Sequence, residues 1–143
     1  MPFERSAGAV IFRKEKGRIH YLLLHYQSGH WDFPKGNIEK GEKLAETVKR
    51  ETKEETGLGD IKFIPGFKEW IKYFFKWDGK NIMKFVTFYL VETETKDVKI
   101  SGEHVGFKWL PFREALEQLT FKNAKTILQK ANNFLLGKSL RDR

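Results

Sequence analysis

The chain has 143 residues, and 40% of them are hydrophobic and 32% charged. The two kinds are interleaved, which predicts one folded domain over residues 1–143 and excludes a largely disordered chain. The sequence has no apolar run of about 18 residues and no cysteine, so it excludes a membrane-spanning helix, a disulfide and a thiolate metal site. We therefore expect no membrane partner and a cytoplasmic location.

The charge balance favours polyanionic partners. With 27 basic and 19 acidic residues the formal net charge is +8, which would attract phosphates, nucleotides or nucleic acid. A solvated lysine-rich surface is the alternative explanation. The basic residues do not form a block of about five or more, so we expect nucleic acid as a partner only through a 5′-phosphorylated end.

The hydropathy pattern predicts a run of strands, one helix, more strands and then two helices. Strands are predicted over residues 6–13, 18–26, 61–75, 82–91 and 105–110, a loop over 27–41, and helices over 43–56, 112–119 and 123–136. The first two strands form a hairpin in this prediction. The order indicates an α/β fold of the α+β type, with a mixed sheet covered by helices on its faces.

The helix predicted over residues 43–56 carries three carboxylates at the edge of its apolar face. Glu51, Glu54 and Glu55 are spaced i, i+3 and i+4 and therefore lie on one side of the helix. Such a cluster resists burial unless a multivalent cation neutralises it, and oxygen ligands suit Mg²⁺ or Mn²⁺. Taken alone, the pattern also fits a solvated helix whose glutamates pair with Lys or Arg.

The preceding loop favours the metal site. Lys35 and Gly36 lie shortly before the helix, and glycine lets a carbonyl oxygen approach a metal or an amide approach a phosphate. Loop, lysine and acidic helix together predict a site for a metal-bound phosphate ester or anhydride.

These residues resemble the signature of the Nudix hydrolases: Gly36, then Glu42, then Arg50-Glu-Thr-Lys-Glu-Glu-Thr-Gly-Leu58. Thr52 stands where that family usually has an aliphatic residue. The resemblance implies an α/β/α sandwich with a catalytic loop–helix–loop, and Mg²⁺- or Mn²⁺-dependent hydrolysis of a nucleoside diphosphate linked to another group.

The resemblance also implies roles for single residues. Glu51, Glu54 and Glu55, with the backbone carbonyl near Gly36, would bind the metal. Glu42 and Arg50 would hold loop and helix in register through an ion pair. The general base would be a box glutamate or an acidic residue on a later loop.

Outside the box, the chain is similar to asymmetric diadenosine tetraphosphate hydrolases of the animal and prokaryotic type. The matching segments begin at Ser6, His30, Phe67 and Glu103. The likeness implies phosphate contacts from His30, Lys35 and Lys84, an adenine sandwiched between Tyr73 and Phe121, and a metal site completed by Glu103.

Four of these residues also have a plainer explanation. His30 fits an ordinary loop residue, Lys84 a solvated lysine of an edge strand, Tyr73 a core residue and Glu103 an exposed loop acid. These alternatives stay open from sequence alone.

Three functions follow from the sequence. The leading hypothesis is hydrolysis of diadenosine tetraphosphate to ATP and AMP by a metal-activated water, with Glu51, Glu54, Glu55 and Glu103 as the catalytic set. The second keeps the chemistry but takes an oxidised nucleoside triphosphate, a 5′-triphosphorylated RNA or ADP-ribose. The third is a nucleic-acid-binding protein without catalysis, suggested by interleaved Lys and aromatic residues over 72–77, although clustered carboxylates would not help it bind polyanions.

Overall fold

A seven-stranded mixed sheet forms the centre of the molecule. The computed structural model describes residues 3–141. Its elements in chain order are β1 (Phe3–Glu15), β2 (Arg18–Tyr26), β3 (Trp31–Asp32), β4 (Lys35–Asn37), α1 (Leu44–Thr56), β5 (Lys62–Trp77), β6 (Lys80–Glu92), β7 (His104–Pro111), α2 (Phe112–Gln118) and α3 (Lys122–Arg141).

Strand β1 organises the sheet because it has neighbours on both edges. It runs parallel to β6, from the pair Phe3 and Met83 to the pair Phe12 and Glu92. On its other edge it pairs antiparallel with β4 and, further along, with β2 in the predicted hairpin. Strand β2 also pairs with β3 and β7, and β5 lies outside β6 at the edge of the sheet.

Alternation along the strands divides the core into two layers. In β1, Val10 and Phe12 face α2 and α3, whereas Ala9 and Ile11 face α1. The same period of two separates inward-facing residues on β2 and β6, as a sheet covered on both faces requires. The predicted α/β class, with helices on both faces of a mixed sheet, is confirmed.

The element boundaries differ from the predictions mainly where pairing depends on distant strands. Residues 27–41 were expected to form a loop, but they contain β3 and β4. These strands have two and three residues, too few to give a pattern in the sequence, and they exist because β2 and β1 offer backbone partners.

Helix α1 has the predicted ends. Its start is capped by Glu46, whose carboxylate accepts the Lys43 amide at 2.9 Å. It ends at Gly57, which has φ 76° and donates its N–H to the Lys53 carbonyl at 2.9 Å. The buried Val48 packs this helix on the sheet, and that packing brings the glutamate side of α1 against β4.

Candidate active site

The three box glutamates lie where α1 meets β4, in very different surroundings. Glu55 is only 4% exposed, Glu51 is half-buried and Glu54 is exposed. The cluster therefore extends from the buried carboxylate of Glu55, its dry end, through Glu51 to the exposed carboxylate of Glu54, its wet end.

Gly36 allows the close contact between β4 and α1. It pairs with Ala7 of β1, and a Cβ atom at position 36 would overlap the carboxylate of Glu51. A side chain here would therefore displace Glu51 or push β4 away from α1. The glycine of the motif is therefore needed for this approach, a packing reason that the sequence did not indicate.

Arg50 lies at the wet end of the cluster and binds several of its oxygens. Its guanidinium donates to both carboxylate oxygens of Glu42 at 2.7 and 2.9 Å and to Glu51 at 2.7 Å, and it lies 3.4 Å from Glu54. It also donates to the Asn37 carbonyl at 3.0 Å. The hydrogen bond from Arg50 lowers the pKa of Glu42 to about 2.

The guanidinium of Arg50 is half-buried because β4 and the loop after it pack against the same side of α1. Arg50 thus acts as the counter-cation of Glu42, Glu51 and Glu54 and ties the loop to the helix.

Glu55 lies at the dry end without a matched counter-charge. Its Oε1 accepts the Lys35 N–H at 3.3 Å. Its Oε2 is 3.1 Å from Nε2 of His104, but neither atom has a hydrogen-bond partner of acceptable geometry. Burial, reinforced by the nearby charge of Glu51, raises the pKa of Glu55 well above its ordinary value.

His104 is a site residue that sequence reasoning did not assign. Its ring is buried, Nδ1 lies 2.9 Å from the Ser101 hydroxyl, and burial lowers the pKa of the ring. The ring meets Tyr26 edge-on at 4.4 Å. Its place directly after Glu103 was the one signal in the sequence.

Glu103 lies in the turn that leads into β7 and is exposed. Its carbonyl accepts the Gln27 N–H at 3.1 Å, which fixes this turn to the end of β2. Its charge contributes to the raised pKa of Glu55, so the two carboxylates share one neighbourhood.

The donors fit a divalent cation although they are not assembled around one. Within residues 3–141, no three acidic or histidine side chains form a ready metal cluster. The carboxylates are kept apart by other partners, because Arg50 pairs with Glu51 and Glu54 while Glu55 lies against His104. Three carboxylates, an unpartnered buried oxygen on Glu55 and a glycine backbone beside Glu51 are a suitable donor set for a hard cation.

A cleft of about 560 Å³ opens beside the carboxylates, and it collects four of the predicted substrate-binding residues. His30, Lys35, Tyr73 and Phe121 all line it, together with Tyr26, Asp32, Ile71, Lys122, Asn123 and Ala124. These residues come from the segment after β2, from β5 and from the start of α3. We refer to this space as the aromatic cleft.

The walls of the aromatic cleft are aromatic rings. His30 stacks on Tyr26 with centroids 4.5 Å apart and planes 12° from parallel. Phe121, which is 49% exposed, lies 5.2 Å from the His30 ring. Tyr73 is half-buried. Part of it packs on the core and part of it faces the cleft, so its position is compatible both with a core residue and with a residue that contacts a base.

Lys35 supplies positive charge to the floor of the aromatic cleft. Its Nζ is 3.0 Å from Asp32 Oδ2 and 5.5 Å from the centre of the Tyr73 ring. Burial lowers the pKa of Lys35, but the charge of Asp32 and the contact with Tyr73 outweigh burial, so the pKa lies above its ordinary value. Asp32 was missed, although its i, i+3 spacing from Lys35 was a usable signal.

Lys84 does not line the aromatic cleft. It pairs directly with Tyr73 across the β5–β6 ladder, so both side chains lie on the same face of the sheet. Burial and the neighbouring charge of Lys35 lower the pKa of Lys84. The charges of the two lysines therefore influence each other.

Comparisons with known proteins show the family to which the chain belongs. A family model described as NUDIX domain matches residues 2–130. Over 143 aligned residues the chain is 36% identical to the bis(5′-nucleosyl)-tetraphosphatase [asymmetrical] of Sus scrofa, covering 92% of this chain and 95% of that protein. Over 104 residues it is 30% identical to an RNA pyrophosphohydrolase of Nitratiruptor, covering 64% of each chain.

Solved structures give the same result. The chain is similar to a C. elegans Ap4A hydrolase in a binary complex, with a TM-score of 0.83, 32% identity, and coverage of 94% of this chain and 98% of that one. Of the helices within residues 3–141, none is long and apolar enough to cross a membrane.

Proposed function

The chain belongs to the NUDIX family and is a Nudix pyrophosphohydrolase, and we propose that it hydrolyses diadenosine tetraphosphate asymmetrically to ATP and AMP. The observation that carries this choice is the aromatic cleft, which sets two ring walls and a lysine directly beside the carboxylate cluster. Nudix hydrolases in general use divalent metal ions, and in this proposal the ion is Mg²⁺, with Mn²⁺ able to replace it.

The proposal gives each group a role in binding. Tyr73 and Phe121 hold one adenine between them, because the face of an aromatic ring stacks on the face of a base. His30, Lys35 and Lys84 hold the phosphate chain, which carries about four negative charges that lysines can partly neutralise. Release of Lys35 from Asp32 would free its ammonium for a phosphate oxygen.

Glu51, Glu54 and Glu55 would bind the metal with the carbonyl of Gly36, and Glu103 would complete the set. When bound, the metal would polarise the phosphate and lower the pKa of a water molecule. Arg50 and Glu42 keep the glutamates positioned, since Arg50 contacts Glu42 and Glu51 together. Glu55, which is only 4% exposed, forms the buried side of this set.

The reaction adds water across one P–O bond. Oxygen from water attacks the phosphorus next to the distal adenosine, the bridging oxygen leaves with ATP, and the product on the attacked side is AMP. Because nucleotide pools are held inside the cell, the proposal includes a cytoplasmic location.

Turnover of diadenosine tetraphosphate in ¹⁸O-labelled water tests this directly. We expect ATP and AMP in equal amounts, with the label in AMP, and no turnover after chelation until Mg²⁺ is restored. Label in ATP would overturn the site of attack, and symmetric ADP products would overturn the asymmetric reaction.

A second substrate class is favoured by the likeness to an RNA pyrophosphohydrolase. The same experiment should therefore include a 5′-triphosphorylated oligoribonucleotide, an oxidised nucleoside triphosphate and ADP-ribose. If any of these has a kcat/KM more than about ten times that of diadenosine tetraphosphate, a gap of about 1.4 kcal/mol, the dinucleotide proposal is wrong.

A further inference from the structure

The long hairpin of β5 and β6 divides its side chains between two different environments. Tyr73 and Phe75 point toward the α3 side of the sheet and are half-buried. Trp70 and Phe74, on the α1 side, are 60% and 57% exposed. The interleaved Lys and aromatic residues of the sequence are thus two patterns, one on each face.

On the α1 side of the sheet, β5 alternates strictly between lysine and aromatic residues. Every second residue belongs to this face, and all five members are exposed: Lys68, Trp70, Lys72, Phe74 and Lys76. Two residues of a strand span about 7 Å, so neighbouring residues of this face have Cα atoms about 7 Å apart, and Lys72 lies between the two aromatic residues.

The neighbouring strands continue the pattern in rows across the sheet. Phe74 pairs with Met83, which pairs with Phe3, and these three form an apolar row. Lys72 and Arg5 both pair with Phe85 and form a basic row around that ring. We call the surface formed by these residues the basic–aromatic face: Lys68, Trp70, Lys72, Phe74 and Lys76 of β5, Met83 and Phe85 of β6, and Phe3 and Arg5 of β1.

The basic–aromatic face borders a cleft of about 800 Å³ between the hairpin and the start of α1. Among the described residues that line this cleft, Glu42 is the one carboxylate, and both of its oxygens accept hydrogen bonds from Arg50. The local field is therefore positive, which agrees with the net charge of +8.

Protection of an edge strand explains only part of this surface. Strand β5 is the outermost strand of its side of the sheet, and lysines on such a strand discourage edge-to-edge pairing. That function does not account for Trp70 and Phe74, because large exposed aromatic residues would promote the association that lysines oppose.

We propose that the basic–aromatic face binds single-stranded nucleic acid. Rings spaced along an open sheet face stack on successive bases, while lysines between them contact the phosphates that link those bases. A double strand hides its bases, so this face distinguishes single strands from duplexes. The face lies on the opposite side of the sheet from the aromatic cleft, but the cleft that it borders is lined by Glu42 of the carboxylate cluster, so the activity of each variant is measured beside its nucleic-acid binding.

Fluorescence anisotropy with labelled oligouridylate and oligothymidylate of about 12 nucleotides tests the proposal. Both probes should carry a 5′-hydroxyl, so that the phosphate-binding site has no terminal phosphate to engage. We expect the wild-type protein to bind both single strands, and to bind a duplex of the same length at least about ten times more weakly.

Substitutions separate stacking from charge. Trp70→Ala or Phe74→Ala should weaken binding about 5- to 150-fold, and Trp70→Phe should restore most of it. Trp77→Ala is the matched control. This residue is 70% exposed in the same hairpin, but by the alternation of the strand it belongs to the opposite face of the sheet. None of these substitutions should change kcat or KM on diadenosine tetraphosphate more than about twofold.

The salt dependence measures the contribution of the lysines. About four phosphate contacts give a slope of log K against log salt of about −2 to −3, and replacing Lys72 and Lys76 with Glu should reduce it by about 1.4. The control Lys14→Glu with Lys16→Glu makes the same charge change at the distant β1–β2 turn and should leave the slope nearly unchanged.

Three results would overturn the proposal. Equal losses from Trp70→Ala and Trp77→Ala would show that the face is not specific. Equal affinity for duplex and single strand would reduce the binding to charge alone. A dimer in sedimentation that Trp70→Ala dissociates, without oligonucleotide binding, would make the face an interface between two copies of the chain.

Discussion

The carboxylate cluster and the aromatic cleft are neighbours that share Lys35, yet the chain builds them in different ways. The carboxylate cluster is local: its contacts join Gly36, Glu42, Arg50 and the glutamates of α1. The aromatic cleft is assembled from three segments far apart in the chain, around residues 26–35, 71–73 and 121–124. The difference teaches that one short segment brings most of the carboxylates together, whereas the place of Glu103 and the aromatic cleft depend on the whole fold.

This comparison predicts how activity divides between the two regions. Changes in the carboxylate cluster should mainly lower kcat, because they act on the reacting phosphorus. Changes in the aromatic cleft should mainly raise KM, because they act on a base some distance from that phosphorus.

Glu55→Gln should have the largest effect, lowering kcat by roughly three orders of magnitude. The amide keeps the shape of the side chain but removes the anion that would bind the metal. Mg²⁺ should raise the Tm of the wild type by mass action and have little effect on the variant.

Without metal, Glu55→Gln should raise the Tm. Because burial raises the pKa of Glu55, the wild type loses stability as the pH rises above the ordinary carboxyl value, where the unfolded chain ionises first, whereas the amide never ionises. The gain in Tm should therefore grow with pH. Glu117→Gln, an exposed change on α2, is the control. A variant that keeps more than about a tenth of wild-type kcat/KM would remove Glu55 from the catalytic set.

Gly36→Ala should have the next largest effect. Its Cβ would overlap the Glu51 carboxylate, and displacing a catalytic group by about 1 Å can cost about 100-fold in kcat. Steady-state kinetics on diadenosine tetraphosphate would measure this loss, with KM changing little.

The matched control for this change is Gly137→Ala on α3, where an added Cβ meets no atom within 4 Å. That variant should keep full activity and gain slightly in stability, since alanine favours helix. Full activity in Gly36→Ala would mean that Glu51 can move without consequence, and would break the link between β4 and the chemistry.

Tyr73→Ala should raise KM for the dinucleotide about 5- to 150-fold while kcat changes much less. Tyr73→Phe should be nearly silent, because the ring face provides the stacking. The measurement pairs KM with Tm on the same preparation, since Tyr73 also packs on the core.

Phe75→Ala is the control for Tyr73, because it lies two residues further on the same face but does not line the aromatic cleft. It should lower the Tm without raising KM. A large fall in Tm with unchanged KM in Tyr73→Ala would assign that residue to the core alone.

Phe121→Ala should give the smallest of these changes, a rise in KM of about 5-fold with no measurable loss of Tm. The ring is 49% exposed and precedes α3, so removing it opens no cavity in the core. If the rise in KM exceeds that of Tyr73→Ala, then Phe121 is the main ring that holds the adenine, and the order of the two walls is reversed.

The sequence by itself determined the α/β class, the extent of α1 and the identity of the Nudix motif. Those features depend on contacts within about one helix and its flanking loop, where spacing translates directly into geometry. Gly36 and Glu55 could be singled out because a glycine in the preceding loop and a charge near an apolar face each leave a local signal, whereas the role of Arg50 followed from the resemblance to the Nudix signature.

Only the tertiary structure decided the rest. Strands β3 and β4 exist because β2 and β1 provide their backbone partners. Residue spacing on α1 could not show that packing would half-bury Arg50. His104 reaches Glu55 from a strand almost fifty residues away in the chain. The two faces of β5 became distinct only when the sheet assigned Tyr73 to one side and Phe74 to the other, since alternation fixes which residues share a face but not what covers it.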